Sequence, residues 1–299
     1  MSKLLLLDGN SLTYRAFFAL PQDMATASGQ LTNAVFGFTS MFIYVMKEQR
    51  PDEVLVAFDR PEPTFRHEAD PTYKAQRETA PDPLRQQMGL VREVLVALGV
   101  ATCELAGWEA DDLIATAVDQ AVARGDDVVI VTGDRDAYQL VSDPHVKVLY
   151  NRRGVSDYAL YDEAGIAERT GVTPAQYPEY AALRGDPSDN LPGVPGVGEK
   201  TAAKLISTYG GLDGIFSHLD DASVASARRS ANVLNSRKSN SFWTSTMSGA
   251  ITRDAGSATG ASRCRIMIWW FLRTRSSCSA PFRHWTSPRR TAASRDGRR

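Results

Sequence analysis

Cysteine and histidine are both scarce. Three cysteines and four histidines in 299 residues make neither a disulfide framework nor a zinc pattern, because His67, His145, His218 and His284 lie far apart and form no ligand pair. Long apolar runs are missing as well. The longest candidate, Ile266 to Leu272, falls far short of the roughly 20 residues a membrane span needs. Leu4 to Leu7 is cut off by Asp8 too early for a signal peptide. The expectation is a soluble, reduced, cytoplasmic protein without a membrane partner. Net charge is nearly absent: −1, from 34 Lys+Arg and 35 Asp+Glu, which excludes a histone-like or heparin-like basic protein. A hydrophobic content of 43% suffices for a core and excludes global disorder.

The near-zero charge conceals a split. Residues 1–221 hold 19 Lys+Arg against 33 Asp+Glu, whereas residues 222–299 hold 15 Lys+Arg against two acids, Asp254 and Asp296. That last stretch has no Glu, two Leu and fifteen Ser, with neither helical period nor strand alternation. A boundary is expected near Asp221. Two origins suit the basic Ser/Arg-rich tail: a shifted reading frame in GC-rich DNA, which over-produces Arg, Ser, Ala and Pro, or an arm that binds DNA phosphates.

Ahead of the boundary the pattern is α/β. Leu4–Leu7, Val54–Phe58, Val128–Thr132 and Val146–Tyr150 read as buried strands. Ala34–Met46, Leu84–Leu98 and Ala110–Ala123 read as helices between them. The expected fold is a mostly parallel sheet with helices on both faces. From about Asp162 the strands stop, and Glu163–Arg169, Pro174–Leu183 and Glu199–Thr208 read as helices joined by Gly- and Pro-rich loops. No internal repeat is visible.

Acids fall at informative places. Asp8 follows the first strand and Asp59 the second, while Asp134 and Asp136 follow the third. In an open parallel sheet the carboxyl ends of the strands share one edge, where ligands bind. Glu109, Asp111 and Asp112 open a helix, and Asp186 and Asp189 stand three apart in a later Gly-Asp-Pro-Ser-Asp-Asn stretch. A lone acid at a strand end is usually a helix cap or a solvated loop residue, and Asp111 could simply complement a helix dipole. Capping does not explain all nine together. Gathered carboxylates repel one another unless a cation lies among them. Oxygen-only ligands favour Mg²⁺ or Mn²⁺, and nine carboxylates exceed what one octahedral ion uses. Two ions suit in-line attack of water on a phosphodiester.

Two basic segments complete the pattern. The stretch from Pro61 to Ala80 is too long for an ordinary βα loop. It interleaves Phe65 and Tyr73 with Arg66, His67, Lys74 and Arg77: cations for phosphates and aromatics for bases, or else a solvated loop. Further on, Gly193, Gly196 and Gly198 precede a helix carrying Lys200 and Lys204. Glycines allow close backbone approach, and a helix N-terminus attracts anions, the form of a helix–hairpin–helix that grips a DNA backbone. A Walker A loop fails here, because Glu199 separates Gly198 from Lys200 and no strand precedes.

The strings LLLLDGNSLTYRAFFAL, TNAVFGF, VAFDRPEPTFRHE, YKAQR, GWEADDLIAT, VTGDRDAYQLV and ALRGDPSDNLPGVPGVGEKTAAKLI cover residues 3 to about 217. Together they resemble the 5′ nuclease (flap endonuclease) family, and within it the N-terminal 5′→3′ exonuclease domain of bacterial DNA polymerase I. The resemblance implies a PIN-like nuclease domain (1–160) with a helical arch at about 61–87, a helix–three-turn–helix subdomain (161–221) and cleavage of 5′ flaps and duplex 5′ ends in replication and repair. It puts Asp8, Asp59, Glu109 and Asp111 around a first metal with Asp112 close by, and Asp134, Asp136, Asp186 and Asp189 around a second. Lys74 and Arg77 match cations that contact the scissile phosphate. Tyr14 and Arg15 match positions beside the site where the 5′ end threads, while Arg66 is a DNA-binding candidate through its place in the basic insert. Gly193 to Lys200 match a duplex-binding turn that holds K⁺ through backbone carbonyls in the family. A nucleoid-associated monomer is expected. Two rivals stand beside this reading. The Leu-Leu-Leu-Asp-Gly-Asn run resembles the first motif of haloacid-dehalogenase-like phosphatases, but Asn10 stands where that motif needs a second Asp. A DNA-structure-binding protein that uses the hairpin alone is the other.

Overall fold

The computed structural model describes residues 1–218; the tail expected at 222–299 lies outside them. Six strands form one sheet: β1 (Lys3–Asp8), β2 (Glu53–Ala57), β3 (Ala101–Cys103), β4 (Asp127–Thr132), β5 (Val146–Arg153) and β6 (Asp157–Tyr161). Their order is β3-β2-β1-β4-β5-β6, parallel except for the antiparallel β5–β6 edge. The chain runs outward from β1 to one side, returns, and builds the other side from β4. The reversal puts a crevice at the carboxyl ends of β1 and β4, the usual place for a ligand in such a sheet.

β1 is central because it is leucine throughout its middle. Leu4 to Leu7 are at most 1% exposed, and each fully buried Leu contributes roughly 1.5–3 kcal/mol. Strand alternation sends them to opposite faces. Leu4 and Leu6 join one core with α5 (Ala110–Ala123), while Leu5 and Leu7 join another with α1 (Gly9–Ala19), α2 (Asn33–Gln49) and α4 (Asp82–Ala97). The first core continues without a break into the later helices α6 (Glu163–Thr170), α7 (Tyr177–Arg184), α8 (Glu199–Tyr209) and α9 (Leu212–Ser217), reaching Ile215.

Several elements escape the sequence pattern, α1, β3 and β6 among them. α1 follows β1 with no loop: Asp8 ends the strand and its carboxylate caps the helix by accepting from Ser11 N. β3 has three residues and no apolar run, and β6 is a partly exposed edge strand. Strands do not stop entirely at Asp162, since β7 (Gly185–Asp186) and β8 (Leu191–Pro192) pair as a two-residue ribbon. The long insert after β2 carries one short helix, α3 (Phe65–Ala69), and then a run of turns that folds down onto the crevice.

Candidate active site

Asp8, Asp59, Asp111, Asp134 and Asp136 meet at the crevice. Backbone and side-chain donors orient them. Asp8 accepts from Ser11 N at 2.9 Å and from the Thr132 hydroxyl at 2.9 Å. Asp59 accepts from Ala110 N at 2.7 Å and from Asn10 Nδ2 at 2.8 Å. Asp134 accepts from Asp136 N at 2.9 Å, while its own N–H donates to Thr132 Oγ1 at 3.0 Å. Asp8 is the last residue of β1 itself, whereas Asp59 and Asp134 lie two residues past the ends of β2 and β4.

The acids perturb one another. Burial, with Asp59 and Asp134 as further negative charges, pushes Asp8 up to about 7. Asp111 is raised well above the ordinary range by burial and then by Asp134, Asp8, Asp59 and Glu109. Asp136 is raised likewise by burial, then by Asp134, Asp186 and Asp189. Asp59 and Asp134 shift the same way, again chiefly through burial. Glu109 is the exception. Burial raises it, but Lys74 and Arg66 outweigh that and hold it below the usual range.

The second acidic motif faces the first across the crevice. Asp186 accepts from Ser188 N and Oγ, which fixes the turn. Asp189 accepts from Arg77 at 2.6 Å and from Tyr73 Oη at 3.0 Å. Lys74 Nζ lies 2.9 Å from Glu109 and 4.0 Å from Asp189. The two cations singled out in the sequence therefore sit inside the acid cluster and partly neutralise it.

Several expected residues stand elsewhere. Asp112 is not turned to the crevice. Both its oxygens accept from the Arg66 guanidinium at 2.8 Å, and Oδ2 also accepts from Glu109 N. Arg66, only 2% exposed, is buried by this bond and presents no face to DNA. Tyr73 is 3% exposed, so it does not stack on bases; its hydroxyl lies 3.0 Å from both Glu109 and Asp189. Phe65 packs on Trp108 with ring centroids 5.4 Å apart. Gly193 also packs closely beside the ribbon, where a Cβ would stand 2.3 Å from the Arg184 carbonyl. Gly196 and Gly198 do face open space, and Lys200 and Lys204 are exposed on α8. Tyr14, Arg15, Phe18 and Arg153 line a cavity of about 560 Å³. A second, of about 590 Å³, runs between Asp134 and Asp186 toward Gly198, and Ser11 lines both. Sequence reasoning missed Thr132, Ser11 and Asn10 as orienting groups; their positions beside the strand-end acids were the available signal.

The donor set suits hard divalent cations: it is all oxygen and strongly self-repelling. Asn10 Oδ1, beside Asp59, is in addition a buried acceptor without a partner. Among the described residues no three His, Cys, Asp or Glu side chains already converge on one point. Asp8, Asp59, Glu109, Asp111, Asp134, Asp136, Asp186 and Asp189 are the residues that would take part in ligation.

A resolvase-like α/β domain with carboxylates at its strand ends, joined to a small helical unit, is the class that this fold and crevice define. Residues 3–171 match the family model "5′-3′ exonuclease, N-terminal resolvase-like domain", and residues 172–254 match "5′-3′ exonuclease, C-terminal SAM fold". The chain belongs to the 5′-3′ exonuclease family. It is 52% identical over 218 residues to DNA polymerase I of Mycobacterium tuberculosis, covering 73% of this chain and 24% of that protein. It is 44% identical over 219 residues to DNA polymerase I of Bacillus caldotenax, covering 73% of this chain and 25% of that one. The chain thus spans about a quarter of the length of these relatives. In fold it is similar to bacteriophage T5 5′-exonuclease bound to zinc, with a TM-score of 0.69, 20% identity and 90% and 98% of the two chains covered. It is also similar to the T5 D15 flap endonuclease complexed with DNA and metal ions, with a TM-score of 0.67 and 21% identity over 90% and 98% of the two chains.

Proposed function

We propose that this chain is a divalent-metal-dependent 5′ nuclease that removes nucleotides from duplex 5′ ends and cuts 5′ flaps of nicked or branched DNA, acting as a monomer at the nucleoid. The observation that carries the reading is the gathering of Asp8, Asp59, Asp111, Asp134 and Asp136 at one crevice, where burial and then their mutual repulsion raise Asp8, Asp111 and Asp136. Glu109, Asp111, Asp8 and Asp59 would hold one Mg²⁺ or Mn²⁺, and Asp134, Asp136, Asp186 and Asp189 a second. Bound there, the ions supply an activated water and neutralise charge on the phosphodiester.

The chain's own residues do the rest. Lys74 and Arg77, already over the crevice, move from Glu109 and Asp189 to the scissile phosphate and stabilise the charge that builds there. Tyr14 and Arg15 line the cavity that receives the 5′ nucleotide. The turn through Gly196 and Gly198, with Lys200 and Lys204, grips the duplex backbone without reading sequence, with K⁺ as a candidate ligand of its carbonyls. The division into a nuclease domain to residue 160, a helix–three-turn–helix unit to residue 221 and a basic tail belongs to the same reading. A small-phosphate-ester phosphatase is disfavoured by Asn10, whose amide serves Asp59.

The test is a labelled 5′-flap duplex incubated with the chain in Mg²⁺ and in EDTA. Cleavage in Mg²⁺ alone is expected, and Asp8→Ala or Asp134→Ala should abolish it while leaving DNA binding. Wild-type cleavage by either variant would sink the assignment.

A further inference from the structure

Lys74 and Arg77 can act on a phosphate only if the insert that carries them has a fixed seat. The insert supplies little structure of its own after α3, only a run of turns from Pro71 to Gln76. Its seat is the turn after β7, residues 187–190. Lys74 N donates to Asp189 O at 3.0 Å, and Arg77 Nε donates to Ser188 O at 3.1 Å. Gln76 Nε2 donates to Pro187 O. From the other side, Asn190 Nδ2 donates to Thr72 O at 2.8 Å. Two backbones meet here in an uncommon conformation. Lys74 has φ 55° and Asn190 φ 59°, two of three non-glycine residues with positive φ among those described. Asparagine tolerates that conformation, lysine does so at a cost, and such geometry persists only where the surroundings over-determine it.

We infer that Asn190 is a positioning residue for cleavage: its side-chain amide, bonded to Thr72 O, seats the 72–77 strap on the second acidic motif and so sets where Lys74 and Arg77 stand over the crevice. The inference rests on the proposed nuclease function for its catalytic part, while the seating itself stands on geometry alone. Asn190 approaches the reaction only through the strap. Its effect is therefore on the rate of the chemical step and not on how tightly DNA is held. The side chain's role separates cleanly from the backbone's, because glycine keeps φ 59° at no steric cost and removes only the amide.

The experiment compares the full chain with Asn190→Gly and Asn190→Asp. Amide hydrogen exchange of the 72–77 segment, in EDTA and without DNA, is expected to quicken about tenfold in Asn190→Gly, the worth of one hydrogen bond. Asn190→Asp should quicken it further, since a carboxylate then faces the Thr72 carbonyl. Single-turnover cleavage of a 5′-flap duplex in Mg²⁺ should slow by about 10- to 100-fold, the scale of a catalytic group misplaced by about 1 Å. Flap affinity in EDTA should stay within about twofold of the unsubstituted chain, as only positioning is lost. Unchanged exchange at 72–77, or an unchanged cleavage rate despite faster exchange, overturns the inference. So does a loss of affinity equal to the loss of rate. If the unsubstituted chain fails to cut in Mg²⁺, the nuclease reading falls, and the exchange result still decides whether Asn190 seats the strap. Gln76→Ala, on the exposed side of the same seat, gives a second variant that should shift exchange the same way.

Discussion

Replacing Arg66 by methionine tests whether this cation serves DNA or the fold. The sequence suggests DNA, since Arg66 lies in a basic, aromatic insert. The structure buries it to 2% exposure with both guanidinium arms 2.8 Å from Asp112 and with Glu109 at 3.8 Å. Asp112 is itself only 5% exposed. Arg66→Met leaves that carboxylate with one donor, Glu109 N. Breaking a buried pair from one side costs about 3–5 kcal/mol. For a domain of this size that is a shift of roughly 6–20 °C in Tm, readable by circular dichroism. The double variant Arg66→Met/Asp112→Leu should recover most of the loss, because replacing both partners by apolar groups is close to neutral. The salt dependence of DNA binding should not move. A phosphate-contacting cation would instead lower the slope of log K against log salt by about 1. A variant that melts like the parent and loses a unit of slope would refute the structural role.

Two further outcomes follow from the crevice and the ribbon. Asp8 is raised from 3.8 to about 7 by burial, then by Asp59 and Asp134, so the folded state holds a proton there that the unfolded chain has released. Stability in EDTA should therefore fall as pH rises from about 4 to 7; Asp8→Asn should lessen that slope in urea titrations, the other raised acids keeping part of it, and a parent that gains stability over the window would contradict the assignment. Gly193→Ala forces a methyl to 2.3 Å from the Arg184 carbonyl, which should cost several kcal/mol and separate β7 from β8; an unchanged Tm would show that the ribbon yields.

The strand-end acids were legible because parallel topology converts sequence order into position: any acid after a buried strand reaches the same edge. What side chains do within that edge was not legible. Arg66 and Arg77 are the same residue type in the same insert, yet one is buried on Asp112 and the other lies half-exposed on Asp189. The difference is set by contacts with segments 46 and 112 residues away, which no local pattern encodes. α1 was hidden because its cap is also a site acid: Asp8 ends the strand, opens the helix and faces the crevice at once. β3 and β6 were hidden because three residues and a half-exposed edge leave no periodic signal.

Asp186 and Asp189 belong to the stretch matched by the second family model, whereas Asp8, Asp59, Glu109, Asp111, Asp134 and Asp136 belong to the first, and a single core running from Leu4 to Ile215 welds the two. Synthesis proceeds from the N-terminus and folding tends to follow it. A nascent chain that ends before residue 186 carries three-quarters of the acids, with no turn for the Lys74 strap to lie on. The last two acids and the seat of Lys74 and Arg77 arrive together, on one short segment. A half-made chain thus has an unfinished crevice, which is completed only when the later helices close onto the core.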